Sequence, residues 1–494
     1  MNRVARRATV IALLGLTGAW GCGETSGEVP QQVARGEFLL SCTDSIEDVY
    51  VLPKELPPHA PTERGAIVRC ARDRVLSVAD LSAVLARAAY QGAPLQSGAT
   101  IYRIAYRTER VTRPDGTIES GISAALLIVP DSPLSVPFPM VVAAHGSVGL
   151  AASCAPSLKN LDDSSALGSA QLMALAPAGH GFLVIAPDYA GYGYGSIHAW
   201  QSSEDEAHSV LDATRAAASA FSPGSFTGEV FMIGHSQGGH AVLSANALAG
   251  KYGLAGAIAG TYAFAPAWFA SRMYGAALSP WSKYNTKDNS GDLVYSLTYF
   301  FGHGEVYDGP GGGEAIFLPS KRAQARQAFA DKCLGDAERA MRGLGYAPSE
   351  FLEPAFVEQV ATDCAVFSRC TKPLPAKWRA RFRADRPTID TRGGPIVIWQ
   401  GRRDATVRVD MAACGFARIR QDLKDDSSAT TSFTVCGSAD ASHARIVPLG
   451  MDWVVRSMIS RVLGVEGPSA CPDEALLNPP DGVLDCNPLP PDID

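Results

Sequence analysis

The stretch Val230-Phe231-Met232-Ile233-Gly234-His235-Ser236-Gln237-Gly238-Gly239-His240 carries four apolar residues directly into G-x-S-x-G. An Ala-rich amphipathic segment with Ala241, Val242, Leu243, Ala245 and Leu248 leads out of it. That order reads as strand, abrupt turn and helix, the context a nucleophile elbow requires. Ser236 would sit at strained backbone angles, and the flanking glycines let the strand and the departing helix pass close to it. The hydroxyl would then stand at the carboxyl edge of a sheet, beside a helix N-terminus whose amides favour negative charge.

Outward from this turn, strand and helix patterns alternate. Thr100 to Thr108 and Ile122 to Val129 read as a hairpin around the turn Arg113-Pro114-Asp115-Gly116. Met140 to Ala144 reads as a buried strand, Ala166 to Leu175 as helix, Phe182 to Ala186 as strand, and Ala207 to Phe221 as a one-faced helix. A strand at Ala255 to Ala263 follows the elbow helix, and helical periodicity also covers Asp73 to Ala89. The pattern predicts an α/β fold: a mostly parallel central sheet flanked by helices, with an antiparallel start.

The alternation stops over residues 266–393, a Gly-, Pro- and aromatic-rich region with helix-like stretches at Lys321 to Ala330 and Asp336 to Arg342. We read it as a mainly helical cap inserted over the carboxyl edge of the sheet. Its aromatic residues (Trp268, Phe269, Trp281, Tyr284, Tyr299, Phe300 and Phe301) would suit an apolar pocket or the cap's own core equally. Strand character returns at Pro395 to Trp399 and Ser432 to Cys436, with helices at Met411 to Leu423 and Val447 to Leu463. The expected division is a signal at 1–22, a tether at 23–36, core at 37–265, cap at 266–393, core again at 394–466, and a Pro/Asp-rich tail at 467–494.

Composition narrows the partners. Lys+Arg number 43 against 50 Asp+Glu, a net charge of −7, and no basic block follows the first few residues, so nucleic acid is not an expected partner. Arg3, Arg6 and Arg7 precede the short apolar run Ala8 to Leu16, the form of an export signal and too short to span a bilayer. Leu16-Thr17-Gly18-Ala19-Trp20-Gly21-Cys22 resembles a bacterial lipobox, with Gly21 fitting and Trp20 and Ala19 departing. Lipidated Cys22 would anchor the chain to the cell envelope, whereas ordinary cleavage nearby would release a secreted protein. Setting Cys22 aside from the 11 cysteines leaves an even number, expected to form disulfides outside the cytoplasm. Local pairs would be Cys42–Cys70, Cys364–Cys370, Cys414–Cys436 and Cys471–Cys486, with Cys154 and Cys333 left to each other or to a rearranged set.

A serine hydroxyl needs a base, and the base needs a carboxylate to hold its tautomer. In a sheet with this elbow the order is Ser, acid, His. Asp404 follows an apolar strand through Gln400-Gly401-Arg402-Arg403 and is the candidate acid, the alternative being a solvated charge beside Arg402 and Arg403. His443, in Ala439-Asp440-Ala441-Ser442-His443, is the candidate base, the alternative being a surface histidine. His145, His180, His198 and His208 precede the serine, His240 rides the elbow helix, and His303 lies in the insert. The oxyanion hole would use the Gln237 amide and an amide from Ala144-His145-Gly146-Ser147, with Ser147 the candidate and Gly146 the alternative. Asp188, in Pro187-Asp188-Tyr189, precedes the serine and would brace its loop by accepting backbone amides, while Tyr189 and Tyr192 would line the pocket mouth or pack in the core.

These residues resemble the α/β-hydrolase superfamily. More narrowly, Tyr106-Arg107-Thr108, the Gly121-to-Pro130 strand, Ala186-Pro187-Asp188-Tyr189-Ala190-Gly191-Tyr192-Gly193, Gly234-His235-Ser236-Gln237-Gly238-Gly239 and the insert before Gly401-Arg402-Arg403-Asp404 resemble the secretory lipase family of capped fungal and bacterial lipases. The resemblance spans about Thr100 to Leu463. It implies hydrolysis of lipid or soluble esters through an acyl-enzyme, with no metal or cofactor. His145-Gly146-Ser147 departs toward general esterases, which weakens any expectation of long-chain lipid preference. A peptidase or amidase of the same superfamily and a non-catalytic surface-binding lipoprotein are the rival expectations.

Overall fold

The apolar runs at Met140 to Ala144 and Val230 to Ile233 become neighbouring inner strands of a nine-stranded sheet. The computed structural model describes residues 36–53, 60–113, 116–135, 137–159, 164–267, 274–275, 277–278, 290–345, 347–360, 376–386, 388–479 and 482. The export signal, Cys22 and the turn residues Pro114 and Asp115 lie outside them.

A short helix α1 (Ile46–Val49) precedes β1 (Ile67–Leu76), α2 (Val78–Arg87), β2 (Ala99–Thr112) and β3 (Ile118–Pro130). The three strands pair antiparallel, as does β3 with β5 (Leu183–Ala190). Between β3 and β5 come β4 (Phe138–Ala144) and α3 (Ser164–Gly179). A two-stranded ribbon, β6 (Tyr192–Gly193) with β7 (Ser196–Ile197), leads into α4 (Ser203–Ser219), then β8 (Phe226–His235), α5 (Gln237–Tyr252) and β9 (Ala257–Phe264). The described part of the insert carries the α-helices α6 (Ser290–Tyr307), α7 (Arg322–Phe329), α8 (Leu334–Met341), α9 (Pro354–Val360) and α10 (Ala376–Ala384), with short 3-10 turns between them. The chain then re-enters the sheet with β10 (Ile396–Gly401), α11 (Val409–Asp425), β11 (Phe433–Ser438) and α12 (Ile446–Leu463). The strand order is β1-β2-β3-β5-β4-β8-β9-β10-β11, and every pairing from β5 to β11 is parallel.

Period-two alternation splits each inner strand between two cores. Met140, Val142, Val230 and Met232 face α4, α5 and α11, while Val141, Ala143, Phe231 and Ile233 face α2, α3 and α12. A third apolar cluster belongs to the insert, where Tyr299, Phe300 and Phe301 are fully buried with Phe317, Phe329 and Trp378. These three aromatics are therefore core, not pocket lining. Trp268, Phe269, Trp281 and Tyr284 lie outside the described residues.

Two expectations need correction. The helix predicted from Asp73 begins at Val78, because Asp73 to Leu76 end β1. The start is set by Ser77, whose hydroxyl accepts from the Asp80 amide while Asp80 accepts from the Ser77 amide, a reciprocal cap. β1 itself was not foreseen, since its sequence, Ile67-Val68-Arg69-Cys70-Ala71-Arg72-Asp73-Arg74, is rich in charge. The second correction concerns the cysteines. Cys42–Cys70 and Cys154–Cys333 form as expected, but Cys436 bonds Cys471, which excludes both Cys414–Cys436 and Cys471–Cys486. The tail returns alongside β11, where Gly437 N donates to Pro472 O at 3.0 Å, so the nearer sulfur is the one across that contact. Cys364, Cys370 and Cys486 lie outside the described residues.

The antiparallel end of the sheet is tied to α4 by a buried ion pair. Arg110 on β2 meets Asp205 on α4 through two hydrogen bonds, Nε–Oδ1 at 3.0 Å and Nη2–Oδ2 at 2.9 Å, with both side chains almost wholly buried. Removing one partner leaves the other charge desolvated, which costs about 3–5 kcal/mol. Asp205→Asn should therefore lower unfolding free energy by about that amount in a urea titration; a loss below about 1 kcal/mol would show that the guanidinium finds other partners.

Candidate active site

Four connections at the carboxyl ends of β4, β8, β10 and β11 supply the candidate catalytic and oxyanion residues Ser147, Ser236, Gln237, Asp404 and His443. At the end of β8 the backbone turns at Ser236, with φ 57° and ψ −117°, a strained conformation for a residue bearing a Cβ. The turn is possible because its neighbours lack one. A Cβ on Gly234 would strike the Gly238 carbonyl oxygen, and one on Gly238 would strike that of Ala144. Ser236 N donates to Phe264 O at 2.9 Å, and Ser236 O accepts from His240 N at 3.1 Å, which ties the elbow to β9 and to the first turn of α5.

After β10, Asp404 is buried in a tight loop. Its Oδ1 accepts from the amides of Thr406 (2.9 Å) and Val407 (2.8 Å), and its Oδ2 accepts from His443 Nδ1 at 2.7 Å. This places the proton of His443 on Nδ1 and leaves Nε2 as the basic nitrogen. The solvated alternative for Asp404 does not hold: Arg403 instead pairs with exposed Asp440 at 3.0 Å. His443 is partly exposed and lines a cleft together with Ser236, His145, Gly146, Ser147, His235 and Tyr295. Among the described residues neither the Ser236 hydroxyl nor His443 Nε2 makes a hydrogen bond, so the geometry brings base and acid into contact and sets the serine beside them unbonded.

The loop after β4 approaches the elbow closely; a Cβ on Gly146 would lie 3.2 Å from His235 O. Among the described residues neither the Ser147 amide nor the Gln237 amide donates to a protein acceptor, and both flank Ser236 in chain or in space. The loop is held from below. Asp188 Oδ1 accepts from Ser157 N at 2.8 Å, Tyr189 donates to His145 O at 2.9 Å and Tyr192 to Gly149 O at 2.6 Å. Asp188 thus accepts a backbone amide as expected, but from the segment after β4 and not from the loop after its own strand, and burial pushes its carboxyl up to about 7. Both tyrosines are core residues rather than pocket mouth.

A pocket of about 500 Å³, solvent at its mouth included, opens on the other side of Ser236. Trp200, Tyr274, Tyr295, Val407 and Met411 give it an apolar wall, with Ser147 and Gln201 as polar points. Trp200 and Tyr295 stack with centroids 5.9 Å apart, and Trp200 Nε1 donates to Ser147 Oγ at 3.2 Å. Ser236 stands between this pocket and the more open cleft.

One residue the sequence reading passed over is His235. Its Nε2 donates to His443 O at 3.0 Å, so its Nδ1 accepts from the Ser169 hydroxyl at 2.8 Å. The residue before the serine therefore holds the backbone of the candidate base. The only signal in sequence was its place inside the elbow motif. Burial, reinforced by nearby His443, pushes His235 down to about 3, and burial pushes His145 down to about 4.

The comparisons agree with this architecture. A family model described as "Secretory lipase" matches residues 161–278. The fold is similar to that of the rice cell wall degrading esterase LipA from Xanthomonas oryzae, with a TM-score of 0.60 at 18% identity over 81% of this chain and 98% of that one. It is also similar to Candida antarctica lipase A in its closed state, with a TM-score of 0.54 at 15% identity over 91% and 94% of the two chains. No curated protein matches the chain in sequence.

The two buried histidines yield a pH dependence. Both bind protons more readily when unfolded, so their contribution to stability is complete above about pH 6.5 and drains away as pH falls toward 4 and 3. Tm should fall as pH is lowered from 7 to 4, and less steeply in His235→Asn than in the wild type. Parallel Tm curves for the two proteins would contradict the burial of a neutral ring at this position. The sheet, elbow and comparisons together establish an α/β-hydrolase fold whose residues 161–278 carry a likeness to the secretory lipases.

Proposed function

We propose that this chain is an exported serine hydrolase acting on carboxylic esters through an acyl-enzyme. The observation that carries the reading is the 2.7 Å hydrogen bond between Asp404 and His443 at the rim of the cleft that Ser236 lines. His443 Nε2 takes the proton as Ser236 Oγ attacks the ester carbonyl, and Asp404 stabilises the imidazolium. Substrate entry brings hydroxyl and ring within hydrogen-bond reach, since these contacts tighten in the Michaelis complex. The amides of Gln237 and Ser147 receive the negative charge of the tetrahedral intermediate, at the N-terminus of α5. His443 then returns the proton to the leaving alcohol, and water clears the acyl group by the same steps in reverse roles.

The aromatic pocket beside Ser236 suits the acyl group, and the open cleft on the His443 side suits the departing alcohol. Residues 266–393 act as the cap that builds the acyl pocket, to which Tyr274 and Tyr295 contribute. Export is supported by the three disulfides among the described residues and by the signal-like N-terminus. Lipidation at Cys22 would add an envelope anchor, and no metal or cofactor enters this scheme.

Purified protein should hydrolyse p-nitrophenyl acyl esters far faster than matched p-nitroanilides, and a fluorophosphonate should label Ser236. Ser236→Ala should lower turnover on the order of a millionfold. Substantial activity left in that variant would mean that the nucleophile lies elsewhere. A faster anilide reaction would move the chain to the amidases.

A further inference from the structure

Beneath the elbow lies a buried carboxylate that the proposed chemistry does not use. Glu206, on α4, is fully buried, and three donors converge on it. Its Oε1 accepts from Gln237 Nε2 at 2.7 Å and from Gln201 N at 2.8 Å, and its Oε2 accepts from His240 Nδ1 at 2.8 Å. His240 Nε2 faces the Asp385 carbonyl oxygen at 2.7 Å. The Ser203 hydroxyl, which can also accept, lies 3.2 Å from the same nitrogen; with a carboxylate on one side as counter-charge and a carbonyl on the other, both ring nitrogens donate and His240 is the cation that balances Glu206. In agreement, the His240 pKa is raised: burial pulls it down, but Glu206 and Asp385 together outweigh burial.

The amide of Gln237 is oriented by the same set. Its Nε2 also contacts His198 Nε2 at 2.7 Å. His198 Nδ1 donates to Ala190 O at 3.0 Å, which leaves Nε2 as the acceptor, so both Gln237 amide hydrogens are committed. Gln237 Oε1 has no partner among the described residues. The side chain is thus held by its NH2 end alone, between a buried carboxylate and a buried imidazole. Gln237 is also the first residue of α5 and the one after the serine, so the side-chain clamp fixes the backbone N–H that would face the oxyanion. Gln201, whose amide completes the Glu206 shell, lines the pocket and accepts from the Tyr274 hydroxyl through Oε1.

We propose that Glu206 is a positioning residue for the oxyanion hole: through the Gln237 side chain it aims the Gln237 amide at the developing negative charge. This rests on the serine-hydrolase reading above. The charge on Glu206 serves geometry, since an ionised carboxylate leaves both oxygens free to accept from Gln237, Gln201 and the His240 cation. Through His240 and the Asp385 carbonyl, the same cluster reaches the chain just after α10, so the seating of the insert and the aim of the amide share one set of hydrogen bonds.

The test compares wild type, Glu206→Gln, Gln237→Leu and the double variant. Assays are p-nitrophenyl ester hydrolysis, inhibition by an acyl trifluoromethyl ketone, whose hemiketal oxyanion occupies the hole, and fluorophosphonate labelling. Misaiming one donor should lower kcat by about 100-fold in Glu206→Gln with KM nearly unchanged, and weaken the ketone in parallel with kcat/KM. The double variant should lose no more than the larger single loss, because both changes break the same clamp. Multiplicative losses in the double variant, or a folded Glu206→Gln within about threefold of wild type in kcat and ketone inhibition, would overturn the proposal. If Glu206→Gln does not fold, Gln237→Leu alone decides, by the same parallel between kcat/KM and ketone affinity. Absence of both ester turnover and Ser236 labelling in the wild type would instead overturn the hydrolase reading, and the positioning role with it.

Discussion

The architecture around the candidate site depends on one backbone constraint, the left-handed turn at Ser236. A residue with a Cβ is held at φ 57° there, and such strain persists only where the surroundings over-determine it. Those surroundings are all local to the sheet edge. Gly234 and Gly238 leave room for crossing carbonyls, Phe264 O on β9 takes the serine amide, and the first turn of α5 takes the serine carbonyl. Once the turn is fixed, the helix N-terminus, the hydroxyl and the loop after β4 have one relative arrangement, and the acid and base need only reach the same rim.

Around that turn the polar groups are layered by burial. At the rim, Asp404 and His443 keep partial contact with solvent through the imidazole. One layer in, His235 grips the His443 backbone, and His145 links the loop that carries Ser147 to the Asp188 carbonyl on β5. Deeper still, Glu206 and His240 carry opposite charges with no solvent contact. Removing charge from water is costly, and a fully paired arrangement offsets that cost by fixing geometry that apolar packing would leave free.

Much of this was legible in the sequence because it rests on short-range rules. Glycines around a serine, after an apolar run and before an amphipathic segment, specify strand, turn and helix without tertiary information. Asp404 and His443 were readable from order and from their places after apolar strands, and Asp188 from its position before the serine. What escaped reading depends on partners distant in sequence. β1 is charged because Arg103 on β2 answers Asp73 across the sheet, at 2.9 Å, and no periodicity reveals such a partner. The Cys436–Cys471 bond follows from the tail returning to β11, whereas spacing alone suggested nearer pairs. His235 and Glu206 have no distinguishing local pattern; their roles come from carbonyls and amides about 30 to 200 residues away.

The bond between Cys154 and Cys333 joins the segment after the β4 loop to the residue preceding α8, closing 179 residues into a ring. Beside it, Leu334 N donates to Val148 O at 2.9 Å. The insert is therefore fastened to the segment after β4 only a few residues from Ser147, and it meets His240 separately through Asp385. The rivet forms only where thiols oxidise. Among reduced thiols the same junction would rest on the Leu334–Val148 hydrogen bond and on packing alone.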